Sequence, residues 1–404
     1  MASDELVLKS VSTLSAIPQA AWNACAGGSD AATGNGSSAA SAPANPFVSH
    51  EFLSSLEESG SVGGRTGWQP QHLIAESKTG VLTGAMPCYV KMHSRGEYVF
   101  DAGWAEAYER AGGQYYPKLQ VSVPFTPATG PRFLVRGGED EDSVKDALAK
   151  GLVALTRQLD CSSAHVTFMP EDDYRRLGDM GYLQRTDQQF HWFNAGYADF
   201  DAFLAALSSR KRKVIRRERA EALANGITID HLTGADITEA AWDAFFSFYI
   251  ETGSRKWGRP YLTRSFYSLI GERMADRVLL VMARRNGRYI AGAINFIGAD
   301  RLYGRNWGAI EHHPFLHFEV CYYQAIDYAI AHRLAVVEAG AQGEHKIARG
   351  YLPQATYSAH YIADAGLRRA VADYLVRERA YVKAAGEELA DYAPFRKDVS
   401  AGGT

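Results

Sequence analysis

Gly343, Glu344, His345, Lys346 and Arg349 place an imidazole, a carboxylate and two cations within one short polar segment. Imidazole titrates near neutral pH, so His345 is a candidate base, with Glu344 beside it to orient the ring. Lys346 and Arg349 are three apart, on one face of a helical turn, where two cations can clamp a phosphate or carboxylate or face an oxyanion. Upstream, Glu319 interrupts an otherwise apolar helical run that includes Tyr322 and Tyr323. A carboxylate there is either a base with raised pKa or the buried partner of Arg305 or His317. His317 stands near the start of that helix, where it can reach an acceptor or only cap. Attack of an amine on a thioester or ester needs a proton acceptor and donors facing the developing oxyanion. His345, Glu319, Lys346 and His317 are therefore the expected catalytic residues. Arg305, Trp307, Gln342, Glu344, Arg349 and Tyr357 are expected to bind substrate, with His360 a weaker candidate beside Tyr357. The plain alternative is a capping histidine and a solvated cationic face; the crowding of these groups between Arg301 and Tyr361 weighs against it.

These side chains need elements that bring them to one edge. Arg301 to Ile310 reads as a strand, Phe318 to Arg333 as an amphipathic helix, and Ala335 to Ala339 as a short strand. Gly343 to Arg349 reads as a polar turn stopped by Gly350 and Pro353, and Thr356 to Ile362 as a further strand. A helix between parallel strands presents its N-terminus, here near Pro314 to Phe318, at the sheet edge where α/β sites form.

The first half repeats the order of the second. IPQAAWNA from Ile17 matches ITEAAWDA from Ile237, PFVSHEFLSSL from Pro46 matches PYLTRSFYSLI from Pro260, and LIAESKTGVLTGA from Leu73 matches VMARRNGRYIAGA from Val281. Three matches in one order, at offsets of 220, 214 and 208, imply two copies of one α/β module. The first is expected over 1–195 and the second over 196–404, with a basic helix at 208–225. The drift in offset is assigned to a Gly, Ala and Ser-rich loop from Cys25 to Asn45.

At 404 residues and 46% hydrophobic, the chain can build real cores. A formal charge of −3 argues against a dedicated nucleic-acid binder but not against a local basic patch, and four scattered cysteines suit neither a disulfide framework nor a zinc site. With no signal layout and no apolar run near ~20 residues, a cytoplasmic protein without a transmembrane segment is expected. No Walker loop, HExxH or GxSxG points to a metal or a covalent serine.

Helices, a strand hairpin and then a β-α-β unit form the element order of the GNAT acyltransferase fold, in which two middle strands splay apart. The stretches GAMPCYVKMHSRGEYVFDAGWAEAYERAGGQYYPKLQVSVPFTPATGPR and LHFEVCYYQAIDYAIAHRLAVVEAGAQGEHKIARGYLPQATYSAH resemble the FemAB-like family of peptidoglycan biosynthesis or recognition proteins. The resemblance implies an α/β chain with a tandem GNAT-like fold and N-acyl transfer, from aminoacyl-tRNA or acyl-CoA, to an amine of a peptidoglycan precursor or a related compound. The alternatives are a GNAT scaffold that recognises a cell-wall peptide or sugar without transfer, and acyl-CoA-dependent acylation of a small amine. Between the modules there is room only for the short basic helix, not for the long helical arm of characterised relatives, so acyl-CoA stands beside aminoacyl-tRNA as co-substrate.

In the first copy, Asp101, Trp104, Tyr115, Tyr116, Lys118, Gln120 and Arg132 form the corresponding polar and aromatic cluster, suited to a sugar or peptide acceptor. Nothing there matches GEHK, so this copy is expected to shape the acceptor side. The seven Lys or Arg between Arg210 and Arg219 are expected to meet tRNA or CoA phosphates or anionic lipid head groups, or to form a solvated face.

Overall fold

The computed structural model describes residues 6–27, 43–256, 260–340 and 343–396, apart from the side chains of 255, 256 and 344. Most of the expected Cys25 to Asn45 loop lies outside the described residues. The chain separates into two compact units that are not contiguous in sequence. One is Met1–Asp187 with Thr356–Tyr381; the other is Gln188–Ala355 with Val382–Thr404. The repeat-based reading put a single boundary at 195/196.

The strands in chain order are β1 (Val7–Val11), β2 (Trp68–Pro70), β3 (His72–Glu76), β4 (Leu82–Met86), β5 (Cys88–Lys91), β6 (Lys118–Val121), β7 (Leu134–Val135) and β8 (Ser163–Met169). The chain leaves the first unit within β9 (Leu183–Phe193). It then forms β10 (Thr228–Leu232), β11 (Val278–Arg285), β12 (Arg288–Ile297), β13 (Arg301–Ala309) and β14 (Val336–Glu338), and returns to the first unit within β15 (Leu352–Ile362).

In the first unit β1, β3, β4 and β7 form one antiparallel sheet, and β2, β5, β6, β8 and β15 neighbour one another in a second. There β6 and β8 run parallel, with helix Glu141–Gln158 crossing between them. That helix starts where Asp140 accepts from the Ser143 N–H. Its Val144, Leu148, Leu152 and Leu155 recur at helical spacing and fill the core under the sheet with Leu119, Val121, Ala164 and Val166. In the second unit the order is β10-β11-β12-β13-β14-β9, and β13 and β14 form the parallel pair around the helical segment 316–331. Both units thus run hairpin, strand, helix, parallel strand. Trp22 and Trp242, paired by the repeat, are both buried, in helices Gln19–Cys25 and Glu239–Lys256.

The segments expected as strands at 301–310 and 335–339, the helix from 318 and the turn at 343–349 all form. Helix Ala365–Asp391 was not anticipated; only Leu367, Val371 and Leu375 are fully buried along it, too sparse a stripe to signal its length. Among the described residues no helix is long and apolar enough to cross a membrane.

Glycine at 308 is required by packing. A Cβ built there lies 2.0 Å from the backbone oxygen of Phe248, which a helix holds in place. We expect Gly308→Ala to destabilise the second unit by about 1–3 kcal/mol, seen as a lower urea midpoint at unchanged slope. A midpoint shift under ~0.5 kcal/mol would mean that the helix yields.

Candidate active site

In the second unit β13 pairs with β14 only through Arg301, Tyr303 and the residue between them, because β14 ends at Glu338 while β13 continues to Ala309. Opposite this parting, β13 carries a bulge against β12: Ala293 aligns with Trp307 and Asn295 with Gly304, so Arg305 and Asn306 face the single Ile294. The parallel strands therefore pair at one end and diverge where Arg305 and Trp307 stand. The following helix begins at Leu316 and takes a π-turn over Glu319–Tyr323, an irregularity that recurs at functional sites.

That π-turn brings His317, Phe318 and Tyr322 to the 3-10 turn Glu344–Arg349. The Tyr322 hydroxyl and His345 Nε2 lie 3.0 Å apart, and His345 packs near Phe318 and His317, with ring centroids 5.6 and 6.4 Å away. Trp307 meets His317 edge-on at 5.2 Å. His345 is exposed, and the little burial it has, with Arg349 and Lys346 nearby, lowers its pKa, so it is a neutral imidazole at pH 7. The Tyr322 hydroxyl can donate to Nε2 or accept from Nε2–H, and in the second tautomer Nδ1 is the proton acceptor. Burial holds the Tyr322 phenol above its usual range, so it stays protonated. A Cβ on Gly343 would lie 2.3 Å from the His345 ring, and its φ of +109° already demands glycine.

Lys346 and Arg349 are both buried, contrary to a solvated cationic face. Arg349 stacks on Phe318 at 3.5 Å, donates to the His345 carbonyl at 2.7 Å and pairs with Glu218 at 2.8 Å. Tyr323 donates to the same Glu218. Lys346 Nζ donates to the Gly340 carbonyl at 2.9 Å, and burial lowers its pKa to about 8.

The expected partners of Glu319 are corrected. Its carboxylate, raised in pKa by burial, pairs not with Arg305 or His317 but with Arg219, at 2.9 Å, and accepts from Gln324. Arg219 also reaches Asp327 at 2.6 Å and lies over Phe200. Glu319 thus fixes the π-turn to helix Ser209–Ala222. On that helix Ile215, Glu218 and Ala222 face inward while Arg210, Lys213, Arg216 and Arg217 are exposed. Gln342 and the Glu344 side chain lie outside the described residues.

The first unit buries a second constellation. Lys118 Nζ meets Asp101 at 2.5 Å and Glu97 at 2.7 Å, and Lys91 Nζ lies 3.2 Å from Glu97. Tyr115 donates to Asp101 at 2.6 Å, and Trp104 stands edge-on to His360. Burial opposes ionisation of Asp101, but Lys118 and His165 outweigh it and hold the carboxyl well below its usual range. The same exchange, burial against Asp101 and Glu97, leaves Lys118 firmly protonated. Tyr116 is half-buried with its hydroxyl 2.7 Å from Ser94. Arg132 gives its donors to the carbonyls of Thr167, Ala128, Gly130 and Pro131, which makes it a clamp on its own loop. Tyr357 falls in this unit, against Tyr174.

A family model described as peptidoglycan biosynthesis/recognition, FemAB-like, matches residues 13–397. The chain belongs to the FemAB-like family. No curated protein matches its sequence. Among solved structures, FemX superposes with TM-score 0.50 at 12% identity, covering 80% of this chain and 93% of FemX. L-PGS from Bacillus licheniformis does so with TM-score 0.50 at 10% identity, over 81% of this chain and 96% of that one. A tandem GNAT protein from the clavulanic acid biosynthesis pathway covers 89% of this chain and 99% of its own, with TM-score 0.46 and 11% identity. The fold is a duplicated GNAT-like acyltransferase fold.

For this FemAB-like chain, helical periodicity carries a signal that residue type alone does not. Ile215, Glu218, Arg219 and Ala222 follow the inward stripe of a helix, which marks Glu218 and Arg219 as site-facing within an otherwise solvated basic run. Lys91, Glu97 and His165 carried no such mark, because sequence distance hides their convergence.

Proposed function

We propose that this protein transfers an acyl or aminoacyl group to an amine of a cell-envelope precursor, and that the chemistry takes place in the second unit. The observation that carries this reading is the parting of β13 from β14 beside the exposed His345, which pairs with the buried Tyr322. Strands that part leave backbone N–H groups unpaired, and these can face an oxyanion that develops on a donor carbonyl lying in the gap. His345 Nδ1 takes the proton of the attacking amine, and Tyr322 holds the ring in the tautomer that can do so. Arg349, fixed by Glu218 and Phe318, supports the His345 carbonyl and keeps the turn in place. Lys346, with its lowered pKa, supplies either a buried cation or a neutral amine near pH 8. Family membership supports the cell-envelope assignment. The acceptor is a peptidoglycan precursor or a related amine, and the donor is aminoacyl-tRNA or acyl-CoA. Arg210, Lys213 and Arg217 are the exposed cations that would meet donor phosphates.

The test is intact-mass and product analysis of the purified protein with aminoacyl-tRNA or acyl-CoA and amine acceptors. Donor consumed only when an amine is present supports transfer. Acceptor binding without any donor consumption, over both donor classes, would make this a recognition protein instead. With a working pair, His345→Ala is expected to lower kcat by about 10²- to 10⁴-fold at similar KM. Tyr322→Phe should lower it less and shift the acid limb of the pH profile. An equal rise in KM at unchanged kcat would place both residues in binding alone.

A further inference from the structure

The second sheet of the first unit has one ordinary face and one that is not. On the ordinary face Cys88, Leu119, Val121, Ala164, Val166 and Ala359 pack into the core. On the other, Tyr89, Gln120, His165 and His360 align side by side across β5, β6, β8 and β15 as one cross-strand row. All four are at most 2% exposed. A polar row on a sheet is normally solvated, and burying it is costly unless each group finds a partner. Here three of the four keep a polar atom with no hydrogen-bond partner: Tyr89 OH, Gln120 Oε1 and His360 Nε2. Asp101 Oδ1 and Ser122 Oγ are left likewise.

The row is also wired. His360 Nδ1 lies 2.7 Å from His165 Nδ1, so a single proton is held between them. His165 Nε2 is 2.8 Å from Ser163 Oγ and 3.4 Å from the Tyr115 hydroxyl. Tyr115 leads to Asp101, and Asp101 to Lys118, Glu97 and Lys91. Lys91 Nζ then lies 3.4 Å from Nδ1 of His93, which is half-buried and reaches solvent. The path runs unbroken from the surface to His360 Nε2, where it stops at an atom with nothing to exchange with.

We infer that the first unit holds its own acid–base site, in which His360 Nε2 removes a proton from a bound primary amine and the Tyr115–Asp101–Lys118–Glu97–Lys91 chain carries it to solvent. The ligand class follows from the atoms left over. Asp101 Oδ1 and Gln120 Oε1 can only accept, so the ligand must donate. Lys91 and Lys118 cancel Glu97 and Asp101, so a ligand that stays buried must be neutral. An ammonium that gives up one proton meets both conditions and becomes the nucleophilic amine. In balance, His360 gains a proton at Nε2 and passes its Nδ1 proton to His165 Nδ1. His165 gives its Nε2 proton to the Tyr115 oxygen as Tyr115 gives its own to Asp101. Lys118, already an ammonium, gives a proton to Glu97 as it takes one back from Asp101, and Glu97 hands that proton to Lys91 once Lys91 has released one of its own through His93. Burial, against the pull of Glu97, lowers Lys91 to about 7, which suits a group that both takes and releases protons. Arg185, held by Glu378, lies over Trp104 and keeps the two histidines from both being charged. Only Trp104 and Ala105 of helix Ala102–Arg110 are buried, so this lightly held cover is where the amine enters.

The site's purpose as amine activation rests on the acyl-transfer reading; its existence does not. The test uses the full chain labelled with ¹⁵N-histidine. NMR is expected to find His165 and His360 neutral from pH 5 to 8, with His360 protonated at Nδ1, and to show the His360 Nε2 signal moving on titration with propylamine but not with propionate. Tyr115→Phe cuts the wire with minimal change of shape. It should slow water exchange of the shared imidazole proton by about tenfold or more while the backbone amides of β6 and β8 exchange as before. Imidazole exchange that tracks those amides in both proteins, or no propylamine response at His360, would overturn the inference. If the relay and amine binding appear but no donor is ever consumed, the transfer reading fails alone. If transfer occurs while His360 stays silent, this inference fails alone.

Discussion

Lys118→Met should cost the first unit about 3–5 kcal/mol, the largest stability loss expected from any single substitution in this protein. Lys118 is 1% exposed and stands between two carboxylates that are themselves buried. Methionine keeps the length and most of the volume of lysine, so the loss is electrostatic. Asp101 is left with neutral hydroxyl donors, Tyr115 among them, and Glu97 with Lys91. The urea midpoint of the first unit's transition would show it, with the second unit's transition as internal reference, since two compact units need not unfold together. Neutralising the stranded acids should restore part of the loss: Lys118→Met with Asp101→Asn and Glu97→Gln is expected to be more stable than Lys118→Met alone. A single-variant loss under ~1 kcal/mol would mean that water reaches these carboxylates readily.

Acid should weaken the folded state well above the usual carboxylate range. Burial, reinforced by Lys118, depresses His165 from 6.5 to about 3, and burial with Arg301 and Lys346 depresses His191 to about 4. His360 is lowered as well, by burial and by His165. These groups are neutral in the folded chain and take up protons only when it unfolds. Their contribution is therefore complete above pH 6.5 and lost as pH falls from there toward about 4 and about 3. At about pH 5 each costs on the order of 2 kcal/mol relative to pH 7.5. Urea midpoints across pH 8 to 5 measure it, and His191→Gln should flatten the slope for the second unit. A flat wild-type profile would mean that these imidazoles are solvated or charged in the folded state. Asp101 acts in the same direction only at lower pH, because the unfolded chain takes up its proton only below the ordinary carboxylate pKa.

The second unit's core machinery could be read from local sequence. The apolar run from Leu316 with Glu319 inside it, and the polar GEHKIAR turn bounded by Gly343 and Gly350, each stand out by local pattern. Tyr322 finds His345 across one helix–strand–turn connection. Two matters were out of reach. The partner of Glu319 is a hundred residues earlier in the chain, and although helical period turns Arg219 inward, nothing local says which carboxylate it meets.

The first unit shows the limit more sharply. Asp101, Lys118 and Gln120 were legible as a polar cluster, but the same letters describe a solvated strand. What makes them a site is that β15, nearly 200 residues on, returns to lie beside β8 and puts His360 against His165. Sequence by itself determined the duplicated fold, because hydrophobic period, turn residues and repeat order are local properties that each copy states twice. Tertiary structure alone decided which polar residues are buried together, because burial and strand register depend on segments far apart in the chain, and only burial turns a set of ordinary side chains into groups with shifted pKa values and unmet hydrogen bonds.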